Sequence, residues 1–363
     1  MNKIDIIAGA RPNFMKIGPI IHAILKHNEE SKLKIEYRLI HTGQHYDKAM
    51  SESFFEQLNI PKPHLNLGAG SGSQAEQTAA IMIGYEAALK EWLPEMCVVV
   101  GDVTSTMACA IVAKKSWIKV AHVEGGIRSG DMTMPEEINR IVTDSITDIF
   151  FTTTQNANEN LVSQGVKKNQ IYFVGNTMID SLLGNLGRLI KPPFYELEKL
   201  TKGSYLVATL HRPSNVDEPA NLEKLMTIIN SHSGGKKVIF PMHPRTKKVF
   251  SSLGLTFPNL FITTPMPYLE FIYLIKNSGG ILTDSGGITE EATVLGIPCM
   301  TLRDSTERPE TVTIGTNEMV GTNPDDIVET LKIMVSGNWK EGGIPELWDG
   351  QTSTRIVEII RSL

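Results

Sequence analysis

The chain has 363 residues, 41% of them hydrophobic and 21% charged, which is the composition of a globular protein of about two domains. The formal net charge of −5 gives no support to a nucleic-acid partner, although it is compatible with a local basic pocket. No apolar stretch approaches the roughly 20 residues that span a bilayer, and the N-terminal apolar run is too short for a signal peptide. We therefore expect a soluble, cytoplasmic protein with no membrane partner.

In the first half of the chain, short apolar segments of strand length alternate with segments of helical periodicity. Such uninterrupted apolar strands between helices are typical of a parallel sheet that is covered on both faces. The predicted strands are Ile4–Ala8, Ile35–His41, Cys97–Gly101, Lys119–Val123 and Ile149–Thr152, and the predicted helices are Lys16–Leu25, Ala75–Leu93, Met107–Lys115 and Glu136–Thr147.

The alternation stops at Lys191-Pro192-Pro193 and then begins again. The second set has predicted strands at Tyr205–Leu210, Lys237–Pro241, Leu260–Thr263 and Gly280–Thr283, and a last helix at Thr352–Ser362. The pattern predicts an α/β protein of two doubly wound Rossmann-like domains that face a cleft. We place the domains at residues 1–174 and 175–349, with the C-terminal helix, 350–363, packed back on the first domain. Neither domain has a G-x-G-x-x-G or a P-loop sequence, which argues against dinucleotide and P-loop sites.

The three cysteines, Cys97, Cys109 and Cys299, are far apart and lie among apolar residues. Their number and surroundings favour buried reduced thiols over a disulfide, a metal site or a nucleophile. The sequence has no C-x-x-C or H-E-x-x-H spacing, and no metal site is predicted.

The segment Asp284-Ser285-Gly286-Gly287 follows an apolar strand and begins a helix. Its glycines let a ligand approach the backbone, and the amides at the helix start suit a phosphate or diphosphate. Glu290 or Glu291, one turn further on, suits ribose hydroxyls. For this segment alone a capped turn with surface glutamates is the simpler interpretation. The dense ionic segment Arg303–Glu310, after the next strand, favours a ligand site.

In the first domain, the segment Gly9–Lys16 brings Arg11 and Lys16 to the start of the first helix. Doubly wound folds bind ligands at this place, and both side chains can hold a phosphate, the arginine with two hydrogen bonds and the lysine as a point charge. For Lys16 a position in solvent is an equally open interpretation.

Three carboxylates of the first domain also lie at strand or helix ends. Asp102 and Glu124 end successive strands, and Glu136 begins a helix. Carboxylates that converge near cations suit proton transfer, because burial and like-charged neighbours raise a carboxyl pKa into a useful range. The structural alternatives are a helix cap for Asp102 and a helix-dipole partner for Glu136 or Glu137. Glu124, between a strand and two glycines, is hard to explain by structure alone.

Three histidines follow predicted strands: His122, His211 and His243. A solitary histidine is usually structural. Because His211 and His243 each lie close to an arginine at the start of a loop, we expect them to contact phosphate or sugar.

Taken together, these segments resemble those of the non-hydrolysing UDP-N-acetylglucosamine 2-epimerases. The resemblance covers essentially the whole chain, with the motifs in the family's order: GARPNFMK, HTGQHYD, GDVTST, HVEGGIRSGD, PEEINR, VGNTMID, HPR, LTDSGGITEEA and RDSTERPE. It implies a fold like that of GT-B glycosyltransferases, a homodimer and a UDP-amino-sugar substrate.

The resemblance also implies a reaction and the residues that perform it. UDP leaves C1 while a base removes the C2 proton, and the resulting 2-acetamidoglucal is reprotonated on its other face as UDP returns, with no cofactor or metal. UDP-N-acetylglucosamine would thus become UDP-N-acetylmannosamine. The implied catalytic residues are Asp102, Glu124, Glu136 and His211. The implied substrate-binding residues are Arg11, Lys16, Arg140, His243, Met266, Phe271, Ser285, Gly286, Gly287, Glu291 and Arg308, with Glu291 on the ribose and Met266 and Phe271 on the uracil.

The chain departs from the family's pattern at a few positions. Ala10 and Asn13 replace the usual threonine and glutamate of G-T-R-P-E. Many bacterial members read Gln-His-Arg-Glu and His-Arg-Arg-Glu where this chain has QHYD at Gln44–Asp47 and HRPS at His211–Ser214. These segments line an activating second substrate site in such members, and the loss of an arginine from each leaves that site in doubt. The first of these segments also resembles relatives that act on diacetamido-uronates and 6-deoxy-L-sugars, so the substrate is open as well.

Three other functions remain to be weighed. A hydrolysing epimerase would release UDP, and the Arg11-Pro12 start argues against it. A GT-B glycosyltransferase needs an acceptor groove and fewer carboxylates than Asp102, Glu124 and Glu136 provide. A non-catalytic sensor of nucleotide sugars needs none of the three.

Overall fold

The computed structural model describes residues 3–43 and 55–363, without the side chain of Arg11. The chain divides into two compact units: the first contains the described residues up to Gly184 together with Glu346–Leu363, and the second contains Asn185–Pro345. This division lies about ten residues later in the chain than the 174/175 boundary expected from the sequence. The segment Gln44–Asp47 lies outside the described residues.

The first unit alternates strands and helices around one parallel sheet. Its strands are β1 Lys3–Ala8, β2 Glu36–His41, β3 Leu65–Asn66, β4 Met96–Val100, β5 Lys119–Val123, β6 Ile149–Thr152 and β7 Ile171–Phe173. Its helices are α1 Arg11–Glu30, α2 Gln74–Glu91, α3 Thr104–Lys115, α4 Pro135–Ile146, α5 Gln155–Ser163 and α6 Thr177–Asn185, with a 3₁₀ turn at Lys168–Gln170. The sheet order is β3-β2-β1-β4-β5-β6-β7, and every described pair is parallel.

The second unit repeats this architecture. Its strands are β8 Tyr205–Thr209, β9 Lys237–Pro241, β10 Leu260–Thr263, β11 Ile281–Thr283, β12 Cys299–Thr301 and β13 Asn317–Met319. Its helices are α7 Phe194–Leu197, α8 Pro213–Val216, α9 Pro219–His232, α10 Pro244–Ser252, α11 Tyr268–Lys276, α12 Gly286–Leu295, α13 Pro309–Thr313 and α14 Pro324–Ser336, with a 3₁₀ turn at Leu186–Arg188. The parallel sheet has the order β10-β9-β8-β11-β12-β13.

The last helix, α15 Thr352–Ser362, packs against α1 of the first unit. Asp180 of α6 joins it there by accepting hydrogen bonds from the backbone amides of Thr352 and Ser353 at 3.1 and 2.6 Å. Ser181, also on α6, donates its hydroxyl hydrogen to the carbonyl of Met15. These contacts hold the end of α6 on the first unit, which explains why the division falls after this helix begins.

Each sheet reverses its strand order at one point, between β1 and β4 in the first unit and between β8 and β11 in the second. Ligands of doubly wound sheets bind beyond the carboxyl ends of the strands at such a reversal. The segments that follow these four strands are Gly9–Lys16, Gly101–Asp102, Leu210–Arg212 and Asp284–Gly287, so the fold itself selects them as site segments.

The predicted α/β class with two doubly wound units is confirmed, and the cores form as the apolar strands predict. The central strands β1, β4, β8 and β11 are buried apart from Lys3 and Thr209 at two strand ends, and Cys97, Cys109 and Cys299 are buried as well. Helix α1 begins five residues before the predicted Lys16, because the side chain of Asn13 accepts hydrogen bonds from the amides of Gly9 and Ala10 at 3.1 and 3.0 Å. In the described part of the chain, no helix has the length and apolar character needed to cross a membrane.

Candidate active site

Glu124 occupies an unusual position at the end of β5. Its backbone has φ = 71°, a left-handed conformation that costs a residue other than glycine about 1 kcal/mol. Its side chain is buried, and its Oε2 lies 2.7 Å from the Nζ of Lys16, which is buried as well. Gly101, after β4, permits this approach, since a β-carbon there would lie 3.2 Å from the lysine nitrogen. A strained, buried carboxylate beside a buried cation is typical of a functional site.

Asp102 lies beside this pair, after β4. It is not the cap of α3, because the residue before that helix is Val103 and no side chain caps it. Its carboxylate instead accepts a hydrogen bond from the guanidinium of Arg140 on α4, and its backbone carbonyl accepts one from Asn139 at 2.9 Å. The Asp102 side chain is 30% exposed, so its carboxylate keeps access to solvent.

The two adjacent glutamates at the start of α4 differ in environment. Glu136 is exposed, whereas Glu137 is buried. Glu137 accepts hydrogen bonds from the amides of Ser129 and Gly130 at 3.0 and 3.1 Å and from Arg140 at 2.7 Å. Although burial alone raises a carboxyl pKa, these donors hold the pKa of Glu137 below its ordinary value. Glu137 therefore fixes both the loop after β5 and the arginine that contacts Asp102.

His122 contributes to the structure of this region. Its Nδ1 lies 2.7 Å from Asp144 Oδ1, and its Nε2 lies 2.8 Å from the carbonyl of Gly101. Asp144 also accepts a hydrogen bond from the Gly126 amide and pairs with Arg128 at 2.7 Å. Burial raises the pKa of Asp144, but His122 and Arg128 more than offset that effect and hold the pKa below its ordinary value. This buried network anchors the strand ends that carry Asp102 and Glu124.

In the second unit, His211 and Asp284 form a pair at the reversal between β8 and β11. Asp284 is fully buried and accepts hydrogen bonds from the amides of His211 and Arg212 and from the side chain of Asn215, all at about 3 Å. The Nδ1 of His211 lies 2.7 Å from Asp284 Oδ1, while the imidazole side chain is 60% exposed. Burial raises the pKa of Asp284, and the His211 contacts and the other donors bring it below its ordinary value. Asp284 thus fixes the ring so that Nε2 is the nitrogen left for a ligand.

Helix α12 begins at Gly286, directly after this pair. The residue before it, Ser285, makes no capping hydrogen bond with its side chain, and its amide donates to the hydroxyl of Thr283 at 3.0 Å. A β-carbon at Gly286 would meet only a Glu307 carboxylate oxygen, at 3.8 Å. The helix start therefore presents backbone amides and a hydroxyl, which suits a phosphate group.

Glu290 and Glu291, further along α12, are both buried, so the alternative of surface glutamates is wrong. The Nε of Arg308 lies 2.6 Å from Glu290 Oε1. The hydroxyl of Tyr268, on α11, donates a hydrogen bond to Glu291 Oε1 at 3.0 Å. The pKa of Glu291 is raised to about 8. Burial is the main cause and the charge of Glu290 adds to it, whereas the hydrogen bond from Tyr268 acts in the opposite direction.

The remaining predicted side chains lie elsewhere on the second unit. His243 is exposed and directly precedes α10. Its Nδ1 accepts a hydrogen bond from the Arg245 amide at 3.3 Å, so the side chain caps this helix. Met266 and Phe271, before and within α11, are partly buried against the core. Arg11 begins α1, and its side chain lies outside the described residues.

The structure thus brings predicted residues together in two groups. Lys16, Asp102, Glu124 and Arg140 form one group in the first unit. The loop of His211 and the helix start Ser285–Gly287 form the other in the second unit. The sequence analysis did not predict the contacts that hold these groups in place, which are made by Glu137, Asp144, Asp284 and Tyr268. The PEEINR segment does show two adjacent glutamates at the start of a helix. Only the packing of that helix shows that Glu137 is the buried one and Glu136 the exposed one.

This geometry can be compared with that of known proteins. The family described as UDP-N-acetylglucosamine 2-epimerase matches residues 27–361. UDP-N-acetylglucosamine 2-epimerase of Methanocaldococcus jannaschii is 42% identical over 374 residues, which cover 99% of this chain and 98% of that protein. UDP-2,3-diacetamido-2,3-dideoxy-D-glucuronate 2-epimerase of Pseudomonas aeruginosa is 39% identical, covering 99% of this chain and 100% of the other.

Solved structures give the same result. The crystal structure of the M. jannaschii enzyme in complex with UDP-GlcNAc and UDP superposes with a TM-score of 0.86 at 41% identity, covering 99% of this chain and 100% of that one. The similarity covers 99% of the chain and so includes residues of both units. The chain therefore belongs to the UDP-N-acetylglucosamine 2-epimerase family, a family of isomerases.

Proposed function

We propose that the protein catalyses the reversible epimerisation at C2 of a UDP-2-acetamido sugar, with UDP-N-acetylglucosamine and UDP-N-acetylmannosamine as the two epimers. The observation that carries the proposal is the buried Lys16–Glu124 pair, at 2.7 Å, with the Asp102–Arg140 pair on the neighbouring strand end. A protein that only binds a nucleotide sugar has no need of a strained, buried carboxylate, because hydroxyl and amide groups are sufficient to recognise a sugar.

In this proposal the reaction has two steps. Glu124, Asp102 or Glu136 accepts the C2 proton, the C1–O bond breaks, and its electron pair leaves with the UDP oxygen, so that C1 and C2 become doubly bonded. A second member of the same set then donates a proton to the other face of C2, and the UDP oxygen adds to C1 again. Charge that develops on the departing oxygen needs hydrogen-bond donors or cations.

The proposal gives the two units different tasks. The first unit, with its carboxylates, performs the proton transfers. The second unit holds UDP, with the diphosphate on Ser285–Gly287, Arg308 and His211, the ribose on Glu291, and the uracil on Met266 and Phe271. Arg11, Lys16 and Arg140 supply cations from the first unit, and His243 adds a polar contact. The exposed imidazole of His211, held by buried Asp284, supports a role for His211 as a donor to the leaving oxygen.

A second UDP-amino sugar is also a candidate substrate. The relative that is named for UDP-2,3-diacetamido-2,3-dideoxy-D-glucuronate is 39% identical, nearly as similar as the 42% identical UDP-N-acetylglucosamine 2-epimerase. The chemistry at C1 and C2 would be the same for both substrates, since they differ only at C3 and C6.

Proton NMR in deuterated water tests the proposal with both substrates. We expect deuterium at C2, a signal from the manno epimer and little free UDP. The substrate that exchanges with the higher kcat/KM is the better candidate. Complete conversion to free UDP and sugar would indicate a hydrolysing enzyme, and an absence of C2 exchange with every UDP-amino sugar would refute the proposal.

The role of Glu124 is tested by Glu124→Gln, with the exposed Glu159→Gln of α5 as the matched control. Glu124→Gln should abolish C2 exchange and leave UDP affinity within a few-fold, while the control keeps both. If Glu124→Gln loses UDP binding but stays folded, Glu124 is a binding residue and not a proton acceptor.

We also propose a homodimer that forms through one face of the first unit. Helices α2, α3 and α4 line an apolar groove of roughly 550 Å³ there, with Met82, Met107 and Ile138 in its wall, and Ile138 is 45% exposed. Burial of exposed apolar side chains favours association. Light scattering should give the mass of two chains, and Ile138→Asp should reduce it to one; a monomeric wild type would refute the proposal.

A further inference from the structure

Glu291 has one described hydrogen-bond donor, the hydroxyl of Tyr268. The carboxylate is 3% exposed, and Tyr268 is buried as well. The hydroxyl lies 3.0 Å from Glu291 Oε1, and this contact joins α11 to α12 one turn beyond the helix start at Gly286. A carboxylate has two oxygens, so a donor on Oε1 sets the direction in which Oε2 points.

The charged groups near α12 have other partners. Glu290, on the same helix, lies 2.6 Å from Arg308, at the start of α13. Glu318, of β13, pairs with Lys340 at 3.0 Å. For Glu291 the neighbouring groups that act are therefore Tyr268, whose hydroxyl lowers its pKa, and Glu290, whose charge raises it, in addition to burial.

The hydroxyl of Tyr268 is a dependable donor. Burial and the neighbouring Glu291 raise the pKa of Tyr268 well above its ordinary value, so the phenol keeps its proton. Burial raises the pKa of Glu291 to about 8, so that its ionised form is gained as the pH rises through that range. The hydrogen bond from Tyr268 favours the ionised carboxylate.

We infer that Tyr268 is a positioning residue that directs Glu291 toward the ribose hydroxyls and so determines the preference for ribonucleotides. The inference rests on the proposed function, in which Glu291 binds the ribose. A ribose presents two adjacent hydroxyl donors, and an ionised carboxylate that is fixed by a third donor is a matching acceptor. Tyr268 does not touch the nucleotide in this scheme; it acts through Glu291.

The test compares UDP with 2′,3′-dideoxy-UDP, which lacks both ribose hydroxyls, by calorimetric titration at pH 9, above the range in which Glu291 ionises. Loss of a donor to a charged group should lower the affinity of Tyr268→Phe for UDP about 10-fold. Its affinity for dideoxy-UDP should stay within two-fold of the wild type. Glu291→Gln should likewise lose the preference for UDP.

Tyr205→Phe is the matched control. Tyr205 is a buried tyrosine of the same unit, and its hydroxyl donates to the carbonyl of Leu274 at 2.6 Å. The variant therefore loses a buried hydroxyl and a hydrogen bond in which Glu291 takes no part. We expect this variant to keep the wild-type ratio of the two affinities.

The pH dependence gives a readout that a purely structural role does not affect. In the wild type, UDP affinity should rise with pH through about 8 as Glu291 ionises, whereas dideoxy-UDP affinity should not follow that rise. In Tyr268→Phe the midpoint should move to higher pH, because the donor that stabilises the ionised form is gone. If Tyr268→Phe does not fold, 3-fluorotyrosine at position 268 keeps a hydroxyl that is a stronger donor, and the midpoint should move to lower pH.

The outcomes separate this inference from the proposed function. If Glu291→Gln loses the preference for UDP while Tyr268→Phe keeps it with an unmoved midpoint, the inference about Tyr268 is wrong and the ribose role of Glu291 stands. If neither nucleotide binds the wild type, the proposed function of the second unit fails, and the inference with it. If Tyr205→Phe shows the same loss as Tyr268→Phe, the effect is structural and the inference is also refuted.

Discussion

Substitutions of Lys16 and of Glu124 are predicted to have strongly coupled effects on the free energy of unfolding. Its charges are 2.7 Å apart, and the two side chains are 11% and 2% exposed. Coulomb's law with an effective dielectric constant of about 20 gives an attraction of about 6 kcal/mol, part of which is offset by the removal of both groups from water. Loss of one partner from a buried pair costs about 3 to 5 kcal/mol, because the other charge stays buried, whereas loss of both costs far less.

A double-mutant cycle measures this coupling. Lys16→Met, Glu124→Gln and the double variant are unfolded in urea at pH 7, with circular dichroism and tryptophan fluorescence as probes. We expect the double variant to be more stable than the sum of the single effects predicts, by about 3 kcal/mol. UDP affinity of Lys16→Met, measured separately, tests the predicted phosphate contact of that lysine.

The exposed Lys3–Glu36 pair, which joins β1 and β2 of the same sheet at 3.9 Å, provides the control cycle. Both side chains are largely in solvent, so their coupling should be about 0.5 kcal/mol or less. If the Lys16–Glu124 cycle gives a coupling no larger than this control, the two side chains do not depend on each other, and the interpretation of the site as a buried pair is wrong.

Two further substitutions test the framework of the site. The pKa of Asp284 is lowered in the folded protein, so its ionised form contributes stability above the ordinary carboxyl pKa of about 4, and that contribution is lost as the pH falls through the folded value. Asp284→Asn should therefore reduce the urea midpoint at pH 6 more than at pH 3; an equal reduction at both would contradict the charge argument. At Gly126, with φ = 82°, a β-carbon would lie 2.4 Å from the carbonyl oxygen of Ala157, whereas at Gly130, with φ = 74°, it would meet nothing within 4 Å. Gly130→Ala should lower the free energy of unfolding by about 1 kcal/mol, and thermal melting should show Gly126→Ala to be much less stable than that variant. Equal melting temperatures of the two variants would contradict the close contact at Gly126.

The local pattern of the sequence was sufficient for the fold class and for the segments of the site. Apolar strands and amphipathic helices have periods that neighbouring residues reveal, and polar residues that follow strands lie at one edge of a parallel sheet. Short strands such as β3, β7 and β13 were missed, since two or three residues carry too little pattern to be distinguished from a loop.

The environment of individual carboxylates could not be predicted in the same way. Glu136 and Glu137 are adjacent and chemically identical, and only the packing of α4 buries the second one. Asp284 is part of a recognised motif, yet its partner His211 lies 73 residues earlier in the chain. Such contacts depend on which strands become neighbours, so the supporting residues became visible only with the structure.

The central claim is that the C1–O bond breaks and forms again while UDP stays bound. Positional isotope exchange tests it directly, with UDP-N-acetylglucosamine that carries ¹⁸O in the bridge between C1 and the β-phosphorus. If UDP is eliminated and returns, rotation of its β-phosphate moves the label into non-bridging positions, and ³¹P NMR detects this movement. We expect the label to move at least as fast as the epimer forms. Formation of the epimer with all the label still in the bridge would contradict elimination and require another route to C2 inversion.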